Sequence, residues 1–291
     1  MLGDMVLVRR VAAFAWRVLR RFFRRKGLLL TSAVAYNALL SIVPVLGLVL
    51  ALLSRVVDPQ DLRVLVAAEL NALLPVNVES IIEAYTRLAA ERELASGLSL
   101  GILILFSSLA FKTIDDAMST IFDAPQEHHR KRFPFARLLL PLGYVVAITA
   151  GLLVATLLTI GVDHLPLATV SDSGVVQVLF EIVAFVGSAA FLTSFYRHMP
   201  DVLVPLRYAV LGGLASATMW EVVRRILAWY FDSLSLVGVI YGSLATVVVL
   251  LLCFEIAALV VLLGGQVVAE VMRSRRSGHP WYVDPDDAAS P

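Results

Sequence analysis

Cysteine is almost missing: Cys253 stands alone inside an apolar run, so the chain can close no internal disulfide and build no thiolate metal site. Charge is scarce too. Charged residues make up 16% of the 291 positions, whereas 59% are hydrophobic and the mean hydropathy is +0.84. That is more apolar surface than one soluble core of this length can hide, and it excludes an ordinary soluble domain. The histidines, His128, His129, His164, His198 and His279, fall in loops or at span ends, and none has metal-ligand spacing. There is no phosphate-cradling glycine loop, no nucleophile elbow and no nuclease-like group of His and Asp. The expectation is therefore no enzyme, no cofactor and no bound metal. The net charge of +1 carries no signal for nucleic acid, and none is expected as a partner.

What is present is a series of apolar runs. A bilayer core takes about 20 mostly apolar residues per helix, and six stretches qualify: 28–54, 97–122, 137–162, 175–197, 207–231 and 238–271. The predicted fold class is all-α, a polytopic membrane bundle of six transmembrane helices. Arg9, Arg10, Arg17, Arg20, Arg21, Arg24, Arg25 and Lys26 precede the first span. Arg130, Lys131 and Arg132 follow the second, Arg197 and Arg207 the fourth, and Arg273, Arg275 and Arg276 the sixth. By the positive-inside rule both termini are cytoplasmic. The segment A-V-A at 33–35 resembles a cleavage site, but the apolar run before it is too short for a signal peptide and continues past it.

Three regions follow from this reading: a basic amphipathic helix over 1–27, the membrane domain over 28–272, and a polar cytoplasmic tail over 273–291. In the first, Leu7, Val11, Phe14, Val18 and Phe22 recur at helical spacing among arginines. That pattern suits a helix on the anionic inner leaflet; the arginines also suffice simply to set topology. Within the outer loop 55–96, Leu62, Leu65, Val66, Leu70 and Leu73, then Val78, Ile81, Ile82, Tyr85 and Leu88, predict an amphipathic helical hairpin broken at Leu74-Pro75.

Polar groups inside the spans are the candidate site residues. Asn37, Ser41 and Pro44 share one face of span one. Pro44 removes the backbone bond to the carbonyl of Leu40 and predicts a kink lining either a packed interface or a cavity. Lys112 and Asp115 stand one turn apart at the cytoplasmic end of span two, where a solvated helix end competes with an ion site. In span five, Glu221 reaches Arg224 and Arg225 at i+3 and i+4, leaving one arginine over. Charges near a helix centre are costly in lipid, so at least part of this group is expected to face the bundle interior, the surplus arginine either as an anion partner or bridged to Glu255 or Glu181. In span six, Tyr241, Glu255 and Gln266 fall roughly on one side, and Glu255 is too deep to snorkel. Gly212, Gly213, Gly238 and Gly242 mark close helix approach.

The runs A-V-A-Y-N-A-L-L-S-I-V-P, G-G-L-A-S-A-T-M-W-E-V-V-R-R and I-Y-G-S-L-A-T-V-V-V-L-L-L-C-F-E-I-A-A-L-V-V-L-L-G-G-Q resemble the YihY/BrkB family of bacterial inner-membrane proteins over roughly residues 15–272. The resemblance implies a six-span inner-membrane protein, matched through Tyr36, Ser41, Pro44, Gly212, Trp220, Glu221, Tyr241, Gly242 and Gly264. Glu255 and Gln266 depart from the family pattern. An old family label as a tRNA-processing ribonuclease finds no nuclease chemistry here; the associations with serum resistance and envelope lipid transport imply no particular substrate. The leading functional expectation is a transporter-like protein moving an anionic amphipathic substrate, such as a lipid, between leaflets or toward an outer partner. A non-transporting envelope scaffold and an ion or small-solute channel are the alternatives. Membrane lipids are the expected partners, with a second copy of the chain or an envelope protein left open.

Overall fold

The computed structural model describes residues 2–53, 109, 112–123, 174–233, 245–278 and 280–282, and every regular element among them is an α-helix. These are α1 (Leu2–Arg24), α2 (Gly27–Leu53), α3 (112–122), α4 (Gly174–His198), α5 (Leu206–Ser233) and α6 (Ala245–Arg276). They correspond to the basic amino-terminal helix, span one, the end of span two, and spans four, five and six. Span three, the outer hairpin 55–96, Tyr241, Gly238 and Gly242 lie outside the described residues. Among the described residues one helix, Val247–Arg276, is long and apolar enough to cross a membrane, and a shorter apolar stretch covers Gly27–Ser41.

α6 is the axis of the described bundle, touching α1, α2, α4 and α5. Its buried residues Ala258, Leu262, Val268 and Met272 pack with Phe22 of α1, Val34 of α2, Met118 and Ile121 of α3, Phe195 and Tyr196 of α4, and Tyr208 of α5. α4 and α5 form an antiparallel hairpin across residues 199–205. Pro205 opens α5, its carbonyl accepting from the amides of Tyr208 at 3.0 Å and Ala209 at 3.2 Å. A proline belongs there because its missing N–H is one the first helical turn leaves without an intrahelical partner.

Small residues let these helices close up. A Cβ added at Gly212 would overlap the side chain of Val268, and one added at Gly264 would overlap Ser216 and Tyr196. The Tyr196 hydroxyl sits in that crossing, 2.6 Å from Ser216 Oγ and donating to the Val261 carbonyl at 2.8 Å. Both residues are fully buried, and a buried hydroxyl needs such a partner.

α2 runs through Pro44 to Leu53. Its polar residues turn back onto their own helix: Thr31 donates to the Gly27 carbonyl at 2.8 Å, Asn37 to Ala33 at 3.0 Å and Ser41 to Ala38 at 2.9 Å. Ser41 is buried and Asn37 half-buried. The polar stripe of span one is thus satisfied locally, as short polar side chains in apolar helices commonly are.

α1 turns into α2 through Lys26, whose φ of 56° is left-handed. Such a residue commonly ends a helix. α1 then lies against the basic end of α6. Arg17 Nε stands 3.0 Å and Arg21 Nη1 2.7 Å from the two carboxylate oxygens of Glu270. Arg17 also donates to the Trp281 carbonyl, and Trp281 meets Phe14 edge-on with ring centres 5.8 Å apart.

Candidate functional site

Along α5, Leu206, Val210 and Leu214 stand one helical turn apart and form one wall of a groove. The facing wall is α4, through Phe185, Val186, Ala189, Ala190 and Thr193, and the groove ends at Arg197 and His198. Its volume is about 520 Å³. The walls are apolar because both helices expose long aliphatic positions here, among them Val186, Val210 and Leu214. The end is basic because α4 terminates in Arg197-His198, where cations complement the negative helix C-terminus. His198 Nδ1 lies 2.8 Å from the Ser194 carbonyl, which holds the imidazole at the groove mouth.

The stripe of α5 that lines the groove continues past it. Glu221 is eleven residues beyond Val210, a near-integral number of turns, and so stands on the same face. Arg224 grips Glu221 with two bonds, Nε to Oε2 at 3.1 Å and Nη2 to Oε1 at 2.7 Å, while Arg225 Nε donates to Oε1 at 2.9 Å. One carboxylate thus holds two guanidiniums. Glu181 of α4 lies within electrostatic reach of Arg224.

Here the structure differs from the sequence expectation. Arg224 and Arg225 are 44% and 68% exposed rather than turned into the bundle. For Arg225 the reason is helical phase: it is nine residues from Ser216, half a turn off the face that packs on Tyr196, so it points away from the interior. Arg224 lies eighteen residues beyond Leu206, about 27 Å along the helix axis.

The remaining candidates occupy separate places. Glu255 of α6 accepts from Ser32 Oγ of α2 at 2.7 Å. Glu255 therefore pairs across α2 and α6, while Arg224 and Arg225 pair within α5, and among the described residues no hydrogen bond or ion pair joins the three. Lys112 is exposed and Asp115 half-buried on α3. Gln266 is fully buried where α6 meets α1, and among the described residues its Oε1 has no hydrogen-bond partner. Gly213 abuts Thr193 and the Ala189 backbone of α4. Sequence reasoning did not single out Arg197 and His198 as site residues; the signal available was their place at the end of a helix whose outward face is apolar.

A family model described as Virulence factor BrkB matches residues 18–283, nearly the whole chain. The chain belongs to the BrkB family. Three relatives, each named UPF0761 membrane protein, illustrate the spread. That of Azotobacter vinelandii is 27% identical over 266 residues, covering 90% of this chain and 64% of its own length. That of Delftia acidovorans is 29% identical over 281 residues, covering 89% and 63%. That of Aeromonas salmonicida is 26% identical over 263 residues, covering 89% and 87%. The chain thus spans less than two thirds of the first two relatives. No solved structure matches. The BrkB relatives are membrane proteins by name, and the all-helical, strongly apolar architecture of this member agrees with a place in a membrane.

Proposed function

We propose that this BrkB-family member is a multi-pass protein of the bacterial inner membrane, with both termini cytoplasmic, that moves or exchanges an anionic amphipathic lipid between leaflets. The observation carrying this reading is the α4–α5 face. An apolar groove has a cation at one end, beside Leu206, and the same stripe of α5 ends in Arg224 about 27 Å from Leu206, with Arg225 next to it. A lipid has the complementary form, with acyl chains for the groove and an anionic headgroup for a guanidinium. The separation of the basic ends matches the distance a headgroup must travel between leaflets. Movement then follows the outside of the helix pair, and no central charged cavity is required.

The test is a proteoliposome assay with fluorescent phosphatidylglycerol and phosphatidylcholine, following loss of inner-leaflet label with time. Wild type is expected to move the anionic lipid faster, and both Arg197→Gln and Arg224→Gln/Arg225→Gln to slow it. Equal rates for all three proteins would overturn the reading.

A second reading, a non-transporting envelope scaffold, is favoured by one observation: Glu255 and the arginines of α5 share no space. It predicts that the same substitutions alter stability or partner recovery with no change in lipid movement.

A further inference from the structure

A second cavity, sharing no residue with the α4–α5 groove, lies where α1, α3 and the end of α6 converge. It has a volume of about 230 Å³, and Arg21, Arg25, Arg273 and Arg276 line it together with Asp123 and Glu270. Four guanidiniums and two carboxylates thus share one small opening. Arg21 is oriented by Glu270 at 2.7 Å, and Arg25 by Asp123 at 2.7 Å and by the Thr120 carbonyl at 3.1 Å. Two of the cations are therefore held in place rather than waving in solvent. At the floor stands Gln266, 1% exposed, with Oε1 lacking any hydrogen-bond partner. An unsatisfied amide oxygen that deep is costly unless something else meets it. A water needs only about 10–15 Å³ of such space, so the cavity has room for a tetrahedral anion and its attached hydroxyl or ester group.

We propose that this cavity is a binding site for a phosphate-bearing anion. Phosphate fits better than a halide or a single carboxylate for two reasons. Its several oxygens suit guanidiniums arriving from α1, from the α1–α2 turn and from α6. Its protonated oxygen, or a neighbouring hydroxyl, gives Gln266 Oε1 the donor it lacks. Because the ligand would bridge α1 to α3 and α6, its binding stiffens the basic end of the bundle. The phosphate comes either from an inner-leaflet lipid headgroup or from a soluble phosphate ester or free phosphate, and the two sources are separable.

The experiment uses the full chain in two settings. In detergent, thermal stability is followed against inorganic phosphate, with chloride at equal ionic strength as control. In nanodiscs, stability is compared between phosphatidylcholine alone and phosphatidylcholine with phosphatidic acid. Stabilisation by inorganic phosphate assigns a soluble source, and stabilisation by phosphatidic acid alone assigns a headgroup. In either case Arg273→Gln and Arg276→Gln should each weaken the effect by about tenfold in ligand concentration. Arg273→Lys should restore part of it, because charge is kept and the planar fork is lost. Gln266→Leu supplies a reading that a folding defect cannot imitate: the unliganded protein should melt higher, the unmet acceptor being gone, while the phosphate response falls. The proposal is overturned if wild type responds to neither ligand beyond chloride, or if Arg273→Gln and Arg276→Gln respond as wild type does.

Discussion

Arg21 of α1 and Glu270 of α6 stand 2.7 Å apart, with side chains 7% and 1% exposed, although the two residues are separated by nearly the whole chain. With Arg17 on the other carboxylate oxygen at 3.0 Å, this buried bridge fixes the basic helix to the core. Removing one partner of a buried pair leaves the other charged and without compensation, at a cost of about 3–5 kcal/mol. Glu270→Ala is therefore expected to lower the unfolding midpoint in detergent and to expose α1 to protease ahead of the other helices. The combined Arg17→Met/Arg21→Met/Glu270→Leu protein should recover most of the loss, since apolar groups of similar volume can replace a buried ionic cluster. A triple variant as unstable as Glu270→Ala would show that the other contacts of these arginines, such as that of Arg17 with the Trp281 carbonyl, outweigh the pairing with Glu270.

A second expectation concerns the crossing of α4, α5 and α6. Gly264→Ala places a methyl group against Ser216 Oγ and the Tyr196 hydroxyl, which already fill the space. Overpacking of this kind costs about 1–3 kcal/mol. Adding Ser216→Ala removes one of the two obstructing atoms, so the double variant should be more stable than Gly264→Ala alone. Thermal unfolding of the three proteins in the same detergent checks the order.

Much of this helical layout was legible in the sequence, and the reasons are specific. α1, α4 and α5 begin and end within a few residues of the predicted segments, because runs of arginine, Gly174 and Pro205 punctuate uniformly apolar stretches. The close approach at Gly212 was visible as a small residue one turn from another, Ser216. The partner of Glu270 was not legible. A pairing between residues 17 or 21 and 270 leaves no trace in local periodicity, and the many arginines before span one already had a sufficient cause in topology. The outward face of Arg224 and Arg225 was not legible, because the i+3 and i+4 spacing fixes their pairing with Glu221 but not which side of α5 meets α4 and α6. Gln266 was identified as polar in an apolar helix, but its place beside a basic cavity depended on where α1 and α3 end.

A third expectation separates structure from transport at the α5 cluster. Glu221, Arg224 and Arg225 are partly exposed and paired along one helix, a setting in which an ion pair contributes at most about 1 kcal/mol. Arg224→Gln/Arg225→Gln and Glu221→Gln should therefore both fold, eluting from size exclusion and melting close to wild type. Any slowing of anionic lipid movement in the arginine variant then reports on substrate contact. If the cluster instead held the bundle together, both variants would lose several degrees of melting temperature and the flux comparison would carry no such meaning.

The outer surface of α1 gives the last expectation. With Arg17, Val18, Arg21 and Phe22 turned inward, Val8, Leu19 and Phe23 form an exposed apolar strip beside Arg9, Arg20 and Arg24, and Trp16, 69% exposed, adjoins it. A helix with an unpaired apolar strip flanked by arginines belongs at a leaflet of anionic lipid, where the strip enters the acyl boundary and the cations meet headgroups. Trp16 should then reside at headgroup depth. In a protein carrying Trp220→Phe, Trp229→Phe and Trp281→Phe, emission from Trp16 is expected to be quenched by lipids brominated near the top of the chain and protected from aqueous iodide. The opposite pattern would place the strip in water or against a protein partner. Because the inner face of the same helix is pinned to Glu270, a strip held in the leaflet would also set the depth of the basic end of α6.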